Sequence, residues 1–219
     1  MCFGPVASFT ASSILAAIGA VILKNVRAKK ELFFAAFPLL FAAQQFIEGL
    51  LWLAIKAGKP QALLQNLTFA YLTFAYSLWP ILCPASVYAI EYDPKRKKVL
   101  SLLILLGVAT SSFLFYFIAT NPVQSVILKC SIRYETFVAG ADLFIGFYLL
   151  VTLLPYFLSS HKAILFFGVP NLIFCAISYY FYRMAFVSTW CFFAALISLT
   201  LYFFLRRLHH QPLLPPLIP

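Results

Sequence analysis

The sequence predicts an all-α polytopic membrane protein: seven transmembrane helices in one bundle, N-terminus outside and C-terminus cytoplasmic. Three observations predict it. Of 219 residues, 63% are hydrophobic and 10% charged, and the mean hydropathy of +0.95 lies far outside the soluble range. Apolar runs of about 20 residues, enough to cross a hydrocarbon core of about 30 Å, recur between charged or turn-forming stretches. Basic residues collect at alternate ends of those runs.

The first run, about residues 5–23, stops at Lys24, Arg27, Lys29 and Lys30. The second, 32–55, ends before Lys56, Gly58 and Lys59, and the third, 67–90, is rich in aromatic residues and closes on "EYDPKRKK". The fourth, 99–119, ends at Asn121 and Pro122, and a polar loop with Lys129, Cys130, Arg133 and Glu135 leads to the fifth, 137–158. The sixth, 163–182, follows the turn "SSHK", and the seventh, 188–205, runs into Arg206 and Arg207. Residues 1–208 thus form one bundle, and 209–219 a short cytoplasmic tail.

Lys and Arg are retained on the cytoplasmic side, so their distribution sets orientation. With the N-terminus outside, eleven basic residues fall on inner segments and five on outer ones. The net charge of +10 then expresses topology and attraction to anionic lipid at the cytoplasmic face. No basic domain exists to hold a nucleic acid. The start of the chain lacks a positive charge before its apolar run and has a cluster after it, the reverse of a cleavable signal, so it is expected to stay as helix one.

Cys2, Cys130 and Cys191 fall near the outer face in this topology, where a disulfide is permitted, and Cys2 with Cys130 is the candidate pair. The alternative is that the cysteines are small apolar fillers, as is expected of Cys83 and Cys175 within helices.

Three stretches, "MCFGPVASF", "QQFIEGLLW" and "LWPILCPASVYAIEYDPKRKK", resemble an uncharacterised family of bacterial multi-pass membrane proteins. Its members begin Met-Cys-Phe or Met-Cys-Trp followed by Ser, carry His-Gln or Gln-Gln ahead of Glu and Trp, and have a Trp-Pro helix ending in an acidic, then basic, turn. Gly4 departs from the usual Ser and Gln44 from the common His. The resemblance implies a bacterial inner membrane and a shared site in the outer half, and no activity.

Only six carboxylates occur, and just two, Glu48 and Asp142, lie within predicted helices. A charge at mid-bilayer costs several kcal/mol, so such acids face the bundle interior, find partners or stay protonated. On helix two, Gln44, Glu48 and Trp52 recur at i, i+4 and i+8, and Gln45 lies three residues before Glu48, so all four share one stripe. Glu48 sits about seven residues, or roughly 10 Å, below the outer surface, and Asp142 lies at a similar depth. Tyr71, Tyr76 and Asn171 are candidates to meet them there, as are Tyr179, Ser8 and Thr10. One reading is an outward-facing polar cavity around Glu48; the other is a neutral glutamate that glues helices through Gln44 or Gln45.

Pro80 and Pro84, one turn apart, remove two backbone donors from helix three and predict a hinge or a fixed bend. "LFFAAFP" opens helix two and "LFFGVP" helix six, a faint repeat of the kind from which transporters are built. The seventh helix has no lysine for a retinal Schiff base, and His161, His209 and His210 fall in inner segments, where they cannot build an intramembrane metal or bis-His haem centre. No phosphate loop or nucleophile elbow occurs, and neither cofactor nor metal is expected. Two function classes remain: a small-molecule or proton-linked transporter, and an intramembrane enzyme using Glu48 or Asp142 as acid or base. A membrane sensor or structural protein is the third.

Overall fold

A computed structural model describes residues 4–210, apart from the side chains of residues 141, 142 and 206–210. α1 (Pro5–Lys24) pairs with α2 (Leu32–Lys56) across a 3₁₀ turn at Lys29–Glu31. Small residues let the two approach: Ser12 Oγ donates to the Ala42 carbonyl at 2.8 Å, and a Cβ on Gly49 would meet the Phe9 ring at 2.8 Å. α3 (Gln61–Leu72) and α4 (Trp79–Ile90) form one continuous span joined by a π-helical turn, Thr73–Leu78. α5 (Pro94–Thr120) is N-capped by Asp93, whose carboxylate accepts from the Lys95 and Arg96 amides. After a β-hairpin come α6 (Ala141–Leu158), α7 (Leu165–Phe181), α8 (Phe186–Ile197) and α9 (Thr200–His210).

Among the described residues, six helical stretches are long and apolar enough to cross a membrane, with Gln61–Ile90 and Arg183–Leu205 each counted as one. The fifth predicted span is shorter, with an apolar helix over Leu143–Leu158. This architecture is compatible with a multi-pass membrane protein.

The structure differs from the sequence reading in four places. The polar loop before α6 is a hairpin, β1 (Gln124–Leu128) with β2 (Ser131–Glu135), antiparallel and turning at Lys129 and Cys130. Lys129 adopts φ +54°, the left-handed conformation a two-residue turn demands. The fifth helix starts at Ala141 rather than residue 137, because Gly140 at φ +65° breaks the path into it. The third span begins earlier, at Gln61 behind Pro60. The seventh is broken at Ser198 and Leu199, where the Ser198 hydroxyl turns back onto the Ala195 carbonyl at 2.6 Å.

Helix three shows what the two prolines do. The Trp79 amide bonds to the Phe74 carbonyl, five residues back. In that register the Ala75 carbonyl would next accept from residue 80, but Pro80 has no N–H. Tyr148 of α6 supplies the missing donor, its hydroxyl lying 2.6 Å from the Ala75 oxygen. Ser111 of α5 likewise donates to the Ser77 carbonyl at 2.6 Å. Pro84 in turn leaves the Pro80 carbonyl without its donor, and that oxygen abuts Gly107 so closely that a Cβ there would lie 2.1 Å away. The carbonyls that the π turn and the prolines leave without a backbone donor are therefore met by neighbours on two helices.

The main core joins Phe34, Phe37 and Phe41 of α2 to Trp79 and Val87 of α4, Tyr156, Phe167 and Phe204. A second cluster lies under the hairpin, where Leu51, Trp52, Tyr71, Leu72, Ile118 and Cys191 meet Val123 and Ile132. At the opposite end of the bundle, Glu91 accepts from the amides of Tyr92, Asp93 and Ser160 at 2.9, 3.0 and 2.7 Å, tying the end of α4 to the turn after α6. Burial opposes its charge, yet the Ser160, Asp93 and Tyr92 donors outweigh it and hold the carboxyl below the usual carboxylate range.

Candidate functional site

Helical periodicity aligns Gln44, Gln45, Glu48 and Trp52 on one flank of α2, and packing under the hairpin buries them; Glu48 is 2% exposed and both glutamines 0%. Glu48 Oε1 accepts two hydroxyl bonds, from Ser188 Oγ of α8 at 2.5 Å and from Tyr134 of β2 at 3.2 Å. Strand alternation explains Tyr134: it points inward, while Arg133 and Glu135 point out and form an ion pair with each other. The Tyr134 ring stacks on Tyr71 of α3, centroids 4.5 Å apart and planes 11° apart. Burial, and next the Glu48 carboxyl, push the Tyr134 phenol well above its usual range, so it stays a donor.

The surroundings of Glu48 are polar, neutral and rich in donors. Trp52 Nε1 is buried without a hydrogen-bond partner among the described residues, while the Gln45 amide lies against Glu48 and the Gln44 amide and Tyr71 hydroxyl lie against the Cys191 thiol. Cys191 of α8 lies beside Gln44 and Tyr71 and within electrostatic reach of Glu48. At the end of the stripe, Lys56 Nζ sits 5.5 Å over the Trp52 ring. Among the described residues no cation bonds to Glu48.

Next to this cluster is a cavity of about 30 Å³, room for a water or two, between α2, α4, α6, α7 and α8. Two amide–indole bonds flank it: Trp79 Nε1 donates to Gln44 Oε1 at 3.0 Å, and Trp190 Nε1 to Asn171 Oδ1 at 2.9 Å. Trp79 also stacks on Phe41 with centroids 4.0 Å apart. Asn171 thus serves this cavity rather than the Glu48 cluster.

Of the residues singled out in the sequence, Gln44, Gln45, Glu48, Trp52 and Tyr71 come together, and Tyr76 packs half-buried against the same cluster. Pro80 and Pro84 set the backbone on the cavity side, through Trp79 and Cys83. The Asp142 side chain and Cys2 lie outside the described residues. Cys130, at the hairpin turn, is disulfide-bonded, while Cys83, Cys175 and Cys191 are free. Sequence reasoning missed Ser188 and Tyr134. The only signal for Tyr134 was the alternation in "SIRYE"; Ser188 carried none.

Residues 1–213 match the model of a protein family described as a family of unknown function, DUF6629. No curated protein and no solved structure matches the chain.

Proposed function

The chain belongs to that family of unknown function, which passes no activity to it, and from the site we propose a proton-linked carrier of small molecules in which Glu48 is the exchanging group. One observation carries the reading: a carboxyl inside an apolar span is held by two neutral hydroxyls, with no cation bonded to it among the described residues. Donated hydroxyl bonds stabilise the carboxylate, and the apolar surroundings stabilise the neutral acid. A group balanced in this way can take up and release a proton, the two hydroxyl donors meeting its carboxylate form.

Tyr134 is half-buried, so its ring spans from the surface to Glu48 and stands between the carboxyl and the hairpin side. The charge distribution supports placing that side outside the cell and the basic ends of α1, α5 and α9 in the cytoplasm, facing anionic lipid. A bacterial inner membrane is the setting that fits the sequence resemblance. The π turn and prolines of helix three, where Tyr148 of α6 rather than a backbone amide meets the Ala75 carbonyl, provide a place for the movement a carrier needs. The short Glu48–Ser188 bond supports a second reading, an intramembrane enzyme with the carboxyl as base for the hydroxyl.

Purified protein in sealed vesicles carrying a pH-sensitive dye tests the carrier. Wild type is expected to dissipate an imposed pH gradient faster than empty vesicles when substrate is offered, and Glu48→Gln to lose the effect. Equal fluxes in the two proteins would remove Glu48 from the mechanism, and chemical turnover in detergent without a sealed compartment would favour the enzyme.

A further inference from the structure

The aromatic cavity and the Glu48 cluster share a wall. Cys191 and Trp79 both line the cavity, and on their other sides Cys191 lies in reach of Glu48 while Trp79 is bonded to Gln44. Seven of the twelve lining residues are aromatic and none is charged. Four of the donors on this wall are already spent: the Trp79 and Trp190 indoles on amide oxygens, the Tyr148 hydroxyl on Ala75 and the Thr152 hydroxyl on the Tyr148 carbonyl. The Tyr156 hydroxyl is buried against the Cys83 thiol, and a hydroxyl that donates there keeps its oxygen lone pairs for a guest.

A guest therefore meets mostly aromatic rings, with the Asn171 amide and the Tyr156 oxygen among them and Glu48 reached through Cys191. Aromatic faces attract cations through their quadrupole, most strongly where water is excluded. Acceptor oxygens call for a guest that carries its own N–H bonds. A volume of about 30 Å³ restricts that guest to a few heavy atoms.

Resting on the carrier reading above, we infer that this cavity binds a small ammonium-type cation, ammonium or a short alkylammonium, which takes the place of the Glu48 proton. The exchange conserves charge: the cation enters as the carboxyl proton leaves, so the apolar bundle never holds an unpaired carboxylate. The titratable groups facing Glu48 are Tyr71 of α3, Tyr134 of β2 and Cys191 of α8. All are neutral at physiological pH, leaving Glu48 as the exchanger.

The test uses the full chain in detergent and weak buffer, titrated with methylammonium chloride against sodium chloride at equal ionic strength. Two of the three tryptophans, Trp79 and Trp190, line the cavity, so binding is read by their fluorescence and by released protons. Methylammonium is expected to give a saturable signal with about one proton released per cation bound, and sodium none. Glu48→Gln is expected to lose the proton release. Trp190→Phe keeps an aromatic face and should bind within about threefold of wild type, whereas Trp190→Leu should weaken binding by about tenfold.

Identical behaviour of sodium and methylammonium in the wild type overturns the inference without reference to any variant, as does saturation without proton release. Proton flux through Glu48 in vesicles with no methylammonium response overturns the inference and leaves the carrier reading standing. Saturable methylammonium binding with proton release but no flux supports the cation site and overturns the carrier.

Discussion

Tyr134 donates its hydroxyl to Glu48 at 3.2 Å across 86 residues of sequence, joining a hairpin outside the predicted spans to a carboxyl within one. The hairpin thereby becomes part of the site, since its inward ring stacks on Tyr71 and covers the acid.

Removing only that hydroxyl separates cover from contact. Tyr134→Phe keeps the stack on Tyr71 and is expected to lower stability by about 1 kcal/mol, the net worth of one hydrogen bond. A membrane-permeant carbodiimide should then modify Glu48 faster than in the wild type, as read by peptide mass. An unchanged rate would mean that the hairpin does not control access.

Replacement of the acid itself distinguishes exchange from glue. Glu48→Gln can still accept from Ser188 and Tyr134 and should melt near the wild type, whereas Glu48→Leu leaves both hydroxyls buried without an acceptor, at about 1–3 kcal/mol each. Melting followed against pH should show wild type and Glu48→Gln diverging wherever the carboxyl changes protonation. Parallel curves would assign Glu48 a structural role.

The π turn in helix three predicts an energetic coupling. Tyr148→Phe strips the Ala75 carbonyl of its donor and should cost about 1–3 kcal/mol. Pro80→Ala restores a backbone N–H in the register that reaches Ala75, so in a double-mutant cycle the tyrosine change should cost less in that background. Gly107→Ala should prevent native packing altogether, because its Cβ would lie 2.1 Å from the Pro80 oxygen. Additive effects of the first pair, measured by thermal melting in detergent, would show that Tyr148 does not stand in for the missing amide.

Acid sensitivity should arise at Glu91. Its backbone donors hold the folded carboxyl below the ordinary glutamate value, so its stabilising contribution is complete above that ordinary value and disappears as pH falls through the lower folded one. Glu91→Gln should flatten the acid limb of the melting curve and leave the neutral region unchanged in shape. A wild-type acid limb in the variant would place the sensitivity elsewhere.

Cysteine chemistry is checked by mass. Alkylation of the unfolded, unreduced chain should label Cys83, Cys175 and Cys191, and reduction should expose the remaining two of the five. A peptide linking Cys2 to Cys130 is the expected product. Labelling of all five before reduction would rule the bridge out.

The sequence by itself determined the class and the acid. Hydrocarbon-length apolar runs leave a chain little choice but helices in a membrane-like environment, and a glutamate with glutamines at helical spacing in such a run must face inward, since a lipid-facing charge is too costly. The spacing of Gln44, Glu48 and Trp52 is local, so it could be read directly. The tertiary structure alone decided what Glu48 touches. Ser188 stands 140 residues away and Tyr134 lies in a strand that composition marks only as a polar loop, so neither contact has a local signature. Pro80 likewise announces a lost donor in the sequence, but only the packed bundle shows that Tyr148 replaces it. Local periodicity fixes which face of a helix is buried; the identity of the groups that meet that face depends on which distant segments pack against it.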